Sequence, residues 1–124
     1  MLNVQLNEKE SIVTLIPDGA LSENDFQLAT TIIDPFIEKS GKLNGIIIYV
    51  ETFPGWDSFA ALSTHLKFVN EHHKKISCVA FVTNSLLGGL AEHIASHFVS
   101  AQVKSFSFNA LDDAKEWILD NNHS

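Results

Sequence analysis

Residues 45–50, with the sequence G-I-I-I-Y-V, are the feature that most constrains how this chain can fold. Successive side chains of a β-strand point to opposite faces of a sheet, so a strand that is apolar throughout must be covered on both faces. Such strands are typical of parallel sheets that lie between layers of helices. Residues 76–82 form a second apolar run of strand length. Together the two runs predict an α/β fold built on a mostly parallel sheet.

The segments around these two strands complete the predicted architecture. Leu2, Val4 and Leu6 alternate with polar residues, and a second β-prone run follows at residues 11–16, which predicts an antiparallel hairpin. Apolar residues recur at helical spacing in four later segments, at residues 22–41, 57–70, 87–98 and 109–118.

Three details of the prediction depend on single residues. Pro35 lies inside the first helical segment and predicts a kink or a break near residues 31–35. Phe106 and Phe108 alternate with serines, which predicts an edge strand at residues 105–108, and Asn109 is predicted to cap the last helix. The order is then β-β-α-β-α-β-α-β-α, a five-stranded sheet with helices packed against both faces. Short connections predict a single domain over residues 1–124.

The charge of the chain argues against nucleic acid as a partner. Fifteen acidic residues oppose eight basic ones, all of them lysine, and the formal net charge is −7. Binding to a polyanion depends on clustered positive charge, which this composition does not favour.

Other features of composition narrow the class of protein. No apolar run approaches the roughly 20 residues that a membrane helix needs, so no membrane span is predicted. The first residues lack the basic start of a signal peptide, and Cys78 is the single cysteine, which excludes a disulfide framework. We therefore expect a cytoplasmic protein, with Cys78 as an inert core residue.

The most promising binding site lies where two buried strands end. In open α/β sheets, ligands bind outside the carboxyl ends of the strands, and the loop at residues 51–57 and the turn at residues 83–85 both follow such ends. Phe53 and Trp56 are large apolar side chains on this loop with no strand or helix period to bury them. The candidate binding residues are Glu51, Phe53, Trp56, Asp57, Ser58, Phe59, Thr83 and Asn84.

These residues allow more than one interpretation. Phe53 and Trp56 form either an aromatic patch for a partner or apolar ligand, or a structural cover in which Trp56 folds over the helix end. Asp57 has the chemistry of an N-cap. The acidic rim made by Glu51 and Asp57 favours a neutral or cationic ligand, or a protein.

No motif in the sequence indicates catalysis, a metal or a cofactor. His93 and His97 are four residues apart on a predicted helix, but no third ligand accompanies them and Ile94 stands where the metalloprotease motif has glutamate. The chain has no G-x-S-x-G elbow, and Gly88 and Gly89 belong to no phosphate-binding motif. We therefore predict that the protein is not an enzyme and holds neither metal nor cofactor.

The motifs on these elements resemble those of a known family. The stretch I-I-I-Y-V-E-T-F-P-G-W-D-S-F-A-A-L resembles the strand, loop and helix start of STAS domains, among them the anti-sigma-factor antagonists. The stretches K-K-I-S-C-V-A-F-V-T-N and S-F-S-F-N-A-L-D-D-A-K-E-W-I are similar to the SpoIIAA-like branch, also called STAS/CRAL-TRIO-like. The resemblance implies the SpoIIAA-like fold over nearly the whole chain.

One difference from the antagonists bears on function. Asp57 and Ser58 match the first two residues of their D-S-S motif, but Phe59 stands where the antagonists carry the serine that is phosphorylated. The phosphorylation switch of that family therefore does not transfer directly to this chain. Similarity to lipid-carrier domains implies an apolar pocket as a further feature to look for.

The sequence therefore predicts a non-enzymatic regulatory or protein-interaction domain of STAS type. The alternative is a carrier or sensor that binds a small apolar ligand in a pocket beside residues 51–59. A hydrolytic or metal enzyme is a distant third. A homodimer is expected if the edge strand at residues 105–108 or the Trp56 loop is exposed, because exposed aromatic edges promote association.

Overall fold

The computed structural model describes residues 2–18, 23–51, 76–84 and 102–121. Its five strands and two helices are β1 (Leu2–Asn7), β2 (Ile12–Pro17), α1 (Glu23–Ser40), β3 (Leu43–Tyr49), β4 (Ile76–Val82), β5 (Gln102–Phe106) and α2 (Leu111–Asn121). The helices predicted at residues 57–70 and 87–98 lie outside the described residues.

The strands form one sheet in the order β1-β2-β3-β4-β5. β1 pairs with β2 in the antiparallel sense, with Leu6 opposite Val13, and the remaining neighbours are parallel. The mostly parallel five-stranded sheet of an α/β fold, with the first hairpin as its antiparallel exception, is therefore confirmed.

β2 is shifted by one residue from its predicted bounds at each end, since it begins at Ile12 and includes Pro17, which pairs with Leu2 of the outer strand β1. Ser11 belongs to the turn, not to β2, because its backbone adopts φ 56°, the left-handed region that residues with a Cβ seldom occupy. The Ser11 carbonyl accepts hydrogen bonds from the amides of Asn44 (2.8 Å) and Gly45 (3.3 Å). These bonds join the turn to the start of β3 and hold Ser11 in its conformation.

Helix α1 runs unbroken through Pro35, so the predicted break does not occur. Proline removes one helical hydrogen bond, but Ile33, Phe36 and Ile37 on either side of it are buried, and this packing stabilises the helix locally. The helix ends as predicted at Gly41, whose φ of 86° and bond from its amide to the Ile37 carbonyl (2.7 Å) form a left-handed C-terminal cap.

Helix α2 packs very closely on one face of the sheet. A Cβ added at Gly45 would lie 2.6 Å from Cγ2 of Ile118, so the contact requires glycine at that position of β3. The core on this face consists of the buried residues Ile12, Ile47, Cys78, Ala80, Val82, Ala114 and Ile118.

The alternate residues of the same strands point to the second face of the sheet, and their side chains are also buried. Its core positions are Val13, Leu15, Ile46, Ile48, Val79 and Phe81. Helix α1 contacts β1. Asn3, Gln5 and Asn7, which lie on the α2 face of β1, are exposed, so α1 does not cover that face. Helix α1 therefore lies on the second face. Helices α1 and α2 therefore lie on opposite faces, as the sequence predicted.

The end of the chain corrects two predicted positions. β5 covers Gln102–Phe106 instead of residues 105–108, because the chain turns after Phe106, with a bond from the Ala110 amide to the Ser107 carbonyl (2.9 Å). The Ala114 amide donates to the Ala110 carbonyl (3.1 Å), which makes Ala110, and not the predicted Asn109, the N-cap position of α2.

Of the helices that the structure describes, none is both long and apolar enough to cross a bilayer.

Candidate functional site

Three neighbouring strands end together at one edge of the sheet, which we call the carboxyl edge and define as residues 50–51, 83–84 and 107–110. The hydrogen-bond ladder continues past the strands here. The Val50 amide donates to the Val82 carbonyl (3.1 Å), and the Thr83 amide donates to the Phe106 carbonyl (3.0 Å). The first residues after each strand are therefore still part of the ordered sheet.

Backbone and side-chain groups form further hydrogen bonds that join the three segments. The Glu51 carbonyl accepts from the Asn84 amide (3.1 Å) and from the Thr83 hydroxyl (3.2 Å). The Asn84 side-chain oxygen accepts from the Phe108 amide (3.2 Å). The segments that follow β3, β4 and β5 are thus connected by hydrogen bonds into one framework.

Three of the eight sequence-predicted site residues lie in the described part of the chain, and the structure gives them different positions. Glu51 and Asn84 are exposed, so their side chains are accessible to a ligand or partner. Thr83 is only 6% exposed, and its hydroxyl is bonded to the Glu51 carbonyl. The buried Thr83 side chain therefore holds the backbone of Glu51 in position.

The other five candidates are Phe53, Trp56, Asp57, Ser58 and Phe59, which lie outside the described residues. The aromatic patch, the N-cap at Asp57, the phosphorylation question at Ser58 and the apolar pocket all concern these positions. Each stays a prediction, and so does the alternative of an apolar-ligand carrier.

Two aromatic residues at the carboxyl edge were not among the predicted site residues. Tyr49 and Phe108 stack with their ring centroids 4.6 Å apart and their planes 6° from parallel, and both are half-buried. The sequence shows both residues but cannot show the contact, because the chain separates them by nearly 60 positions. The stack forms an aromatic surface next to Glu51 and Asn84.

Aromatic side chains of β5 and α2 also pack against each other within this chain. Phe106 lies 5.8 Å from Trp117, centroid to centroid, and the Lys104 ammonium lies 5.2 Å and 5.9 Å from the two ring centroids. Phe106 and Phe108 are half-buried, and a lysine on an outer strand opposes strand pairing. A homodimer through this edge stays a prediction with less support than the sequence suggested.

Cys78 does not add reactive chemistry to the described structure, and the sequence predicted no metal site. Cys78 is buried in β4, and desolvation raises the pKa of its thiol, so the neutral and weakly nucleophilic form is favoured. Within the described ranges, no group of three or more histidine, cysteine, aspartate or glutamate residues is arranged to hold a metal ion. His93 and His97 lie outside those ranges.

Comparison with models of known protein families identifies the family of this chain. The model of the SpoIIAA-like family matches residues 12–119, from the first residue of β2 almost to the end of α2. The chain belongs to the SpoIIAA-like family. The resemblance drawn from the sequence motifs is therefore confirmed.

A solved structure shows the same fold in another protein. The crystal structure of diguanylate cyclase SiaD in complex with its activator SiaC from Pseudomonas aeruginosa contains a chain that matches with a TM-score of 0.63 and 12% sequence identity. The match covers 85% of the SpoIIAA-like chain described above and 92% of the other. Identity this low shows a shared fold alone. A comparison with curated proteins finds no match.

Proposed function

We propose that this SpoIIAA-like protein is a non-enzymatic regulatory domain that acts by binding a partner protein at its carboxyl edge. Two comparisons support a role in protein interaction: the family assignment, and the structural similarity to SiaC, which is the activator in a complex with a diguanylate cyclase. The observation that carries the proposal is the hydrogen-bonded framework of residues 50–51, 83–84 and 107–110.

The framework suits recognition because it is ordered before any partner arrives. Binding loses affinity when loops and side chains must be immobilised, and a surface whose backbone is already bonded avoids part of that loss. Glu51 and Asn84 extend from this backbone into solvent beside the stacked rings of Tyr49 and Phe108. A small surface of this kind combines a charge, an amide and an aromatic contact, as protein interfaces do.

The chemistry of the surface also favours one kind of partner. Glu51 is exposed, and the whole chain carries a net charge of −7, so an acidic partner would be repelled and a neutral or basic one attracted. Glu51 leads directly into the loop with Phe53 and Trp56, and tryptophan is enriched among residues that dominate binding energy. We therefore extend the proposed interface to residues 53–59.

The test requires the partner and matched variants. The tagged protein is used to capture partners from its own cells, each captured protein is purified, and its Kd is measured by calorimetry. We expect Glu51→Lys to weaken binding by at least about tenfold, because it replaces an attractive charge with a repulsive one. Trp56→Ala is expected to weaken binding by a similar or greater factor.

The matched control is Glu38→Lys, which makes the same change of charge at an exposed position of α1. It should leave the Kd within about twofold of the wild-type value, since it changes long-range attraction without touching the interface. Circular dichroism and urea denaturation check that each variant is folded. Equal affinity of wild type, Glu51→Lys and Trp56→Ala for every purified partner would show that the proposed interface is wrong.

A further inference from the structure

The pair Asn44–Gly45 lies at the start of β3 and carries chemistry that the proposed partner interface does not use. Asn44 is the one asparagine of the sequence that is followed by glycine. Glycine has no Cβ, so its backbone nitrogen is the least hindered one that can attack the side chain of a preceding asparagine. Neither residue belongs to the carboxyl edge, so this pair can be tested independently of that surface.

The reaction of such a pair is deamidation. The Gly45 nitrogen loses its proton and bonds to Cγ of Asn44, while the side-chain NH2 group takes up a proton and leaves as ammonia. The product of this step is a five-membered succinimide ring. Water then opens the ring at either carbonyl, which leaves aspartate or isoaspartate at position 44. The overall reaction consumes one water molecule and releases one ammonia molecule.

The attacking nitrogen is held in the sheet. The Gly45 amide donates to the Ser11 carbonyl (3.3 Å), and the Asn44 amide donates to the same oxygen (2.8 Å). Gly45 also stands in register with Ile12 of β2 and with Cys78 of β4, so β3 is paired on both sides at this position. An amide held in a hydrogen bond is protected from base until the structure opens. The extended backbone of a strand also does not provide the folded-back conformation that ring closure needs.

The leaving group is held as well. The side-chain nitrogen of Asn44 donates to the Glu10 carbonyl (2.9 Å), and Asn44 is partly buried. This bond fixes the side chain against the turn of the β1–β2 hairpin. The release of ammonia therefore requires that the contact between the hairpin and β3 is broken.

Helix α2 covers the pair from one face of the sheet. Gly45 is buried, and a Cβ at this position would lie 2.6 Å from Cγ2 of Ile118, which is itself 0% exposed. Water and base are therefore excluded from this side of the Gly45 nitrogen. The hairpin, β3 and α2 together oppose each step of the reaction.

From these observations we infer that Asn44 is a deamidation site that the contacts of β3 with the hairpin and α2 protect in the folded protein. Modification takes place in molecules in which the start of β3 has opened. The product does not restore the contact: a carboxylate at position 44 has no N–H to donate to the Glu10 carbonyl, and isoaspartate adds one carbon to the backbone of β3. Deamidation thus removes opened molecules irreversibly from the folded population.

The first experiment compares three rates at the same pH and temperature. The full chain is incubated in native buffer and in guanidinium chloride, and the synthetic peptide K-L-N-G-I-I gives the rate without tertiary structure. Mass spectrometry of the tryptic peptide that begins at Leu43 follows the conversion at position 44. We expect the unfolded chain to react within about threefold of the peptide, and the native chain at least about tenfold more slowly than the unfolded chain. A smaller difference between native and unfolded chain would overturn the inference.

A matched pair of variants identifies the contacts that protect the site. Ile118→Val removes one methyl group beside Gly45 and leaves the Asn44–Gly45 sequence intact, so it should accelerate deamidation of the native chain about two- to tenfold. The control is Ile33→Val, the same change at a buried position of α1, which should accelerate it less. Equal acceleration by the two variants would show that global unfolding, and not opening of β3 at the hairpin and α2, exposes the site.

The variant Asn44→Asp tests whether the product can restore the contact. It places the aspartate product in an otherwise unmodified chain. We expect the ratio of folded to unfolded protein, measured by denaturation with urea, to fall at least about tenfold, because the donor to the Glu10 carbonyl is lost and a partly buried charge is added. A ratio equal to that of the wild type would contradict irreversible removal of the opened molecules.

Discussion

The carboxyl edge and the β1–β2 hairpin each contain one nearly buried threonine, and the two hydroxyl groups differ in their bonding. Thr83 is 6% exposed and donates to the Glu51 carbonyl at 3.2 Å, whereas Thr14 is 8% exposed and receives no hydrogen bond from the described residues. At the carboxyl edge, the Thr83 hydroxyl bonds to the backbone of Glu51 and so helps to order the surface. In the hairpin, the Thr14 hydroxyl orders no other segment through a hydrogen bond among the described residues.

Both regions depend on helix α2. Its first residues follow directly from the Ser107–Ala110 turn of the carboxyl edge, and its Lys115 lines an open surface groove together with residues of the β1–β2 hairpin. The contact between Gly45 and Ile118 sets the distance between α2 and the sheet. Changes at this contact, at Thr83 and at Thr14 therefore separate the two regions experimentally.

The largest effect is expected from Gly45→Ala. The new methyl group would meet Cγ2 of Ile118 at 2.6 Å and Cδ1 at 2.7 Å, so α2 or β3 must shift. Overpacking of this kind costs about 1–3 kcal/mol, which urea denaturation measures as a lower free energy of unfolding. Because α2 moves, the chemical environment of Lys115 on α2 should change more than the hydrogen bonds around Glu51.

A double-mutant cycle with Ile118→Ala tests the cause of that loss. Ile118→Ala removes the side-chain atoms that the new methyl group would meet, so Gly45→Ala should cost clearly less on this background than in the wild type. An equal cost on both backgrounds would mean that the strain arises elsewhere and that this contact does not position α2.

An intermediate effect is expected from Thr83→Val. The substitution keeps the shape of the side chain but removes the donor to the Glu51 carbonyl, which then retains the Asn84 amide as its bond. The free energy of unfolding should fall by about 0.5–1.5 kcal/mol. Amide hydrogen exchange at Asn84 and Phe108 should become faster, because the framework of the carboxyl edge is loosened. Unchanged exchange would mean that Thr83 does not order this edge.

The smallest effect is expected from Thr14→Val, the matched substitution in the β1–β2 hairpin. Since no hydrogen bond from the described residues is lost, the free energy of unfolding should stay within about 0.5 kcal/mol of wild type or rise. A loss as large as that of Thr83→Val would remove the contrast between the two regions. It would show that the Thr14 hydroxyl is bonded in the protein.

Much of the fold could be predicted from the sequence because local periodicity records which side chains face the core. The apolar run at residues 76–82 matches β4 (Ile76–Val82), and the alternation of Leu2, Val4 and Leu6 identifies β1. Gly41 ends α1 as predicted, since only glycine adopts its φ of 86° without strain. The motifs on these elements also identify the SpoIIAA-like family.

The candidate site was only partly predictable, because local periodicity does not record contacts between residues that are far apart in the chain. The rule that ligands bind at the carboxyl ends of parallel strands correctly brought Glu51, Thr83 and Asn84 to one edge. It could not tell that Thr83 is buried, nor that Phe108 leaves the strand pattern to stack on Tyr49. Those outcomes depend on how β3, β4 and β5 are aligned and on where the chain turns after β5.

The sequence by itself thus determined the order of the strands and described helices, the mostly parallel sheet and the family, but not the bounds of β5. The repeat of apolar residues and short motifs carry that information. The tertiary structure alone decided that α1 continues through Pro35, that Gly45 admits Ile118, and that β1 stays exposed on the face that carries α2. Periodicity specifies which face of an element is apolar. Side-chain packing between residues far apart in the chain decides how closely two faces approach and which polar groups stay accessible.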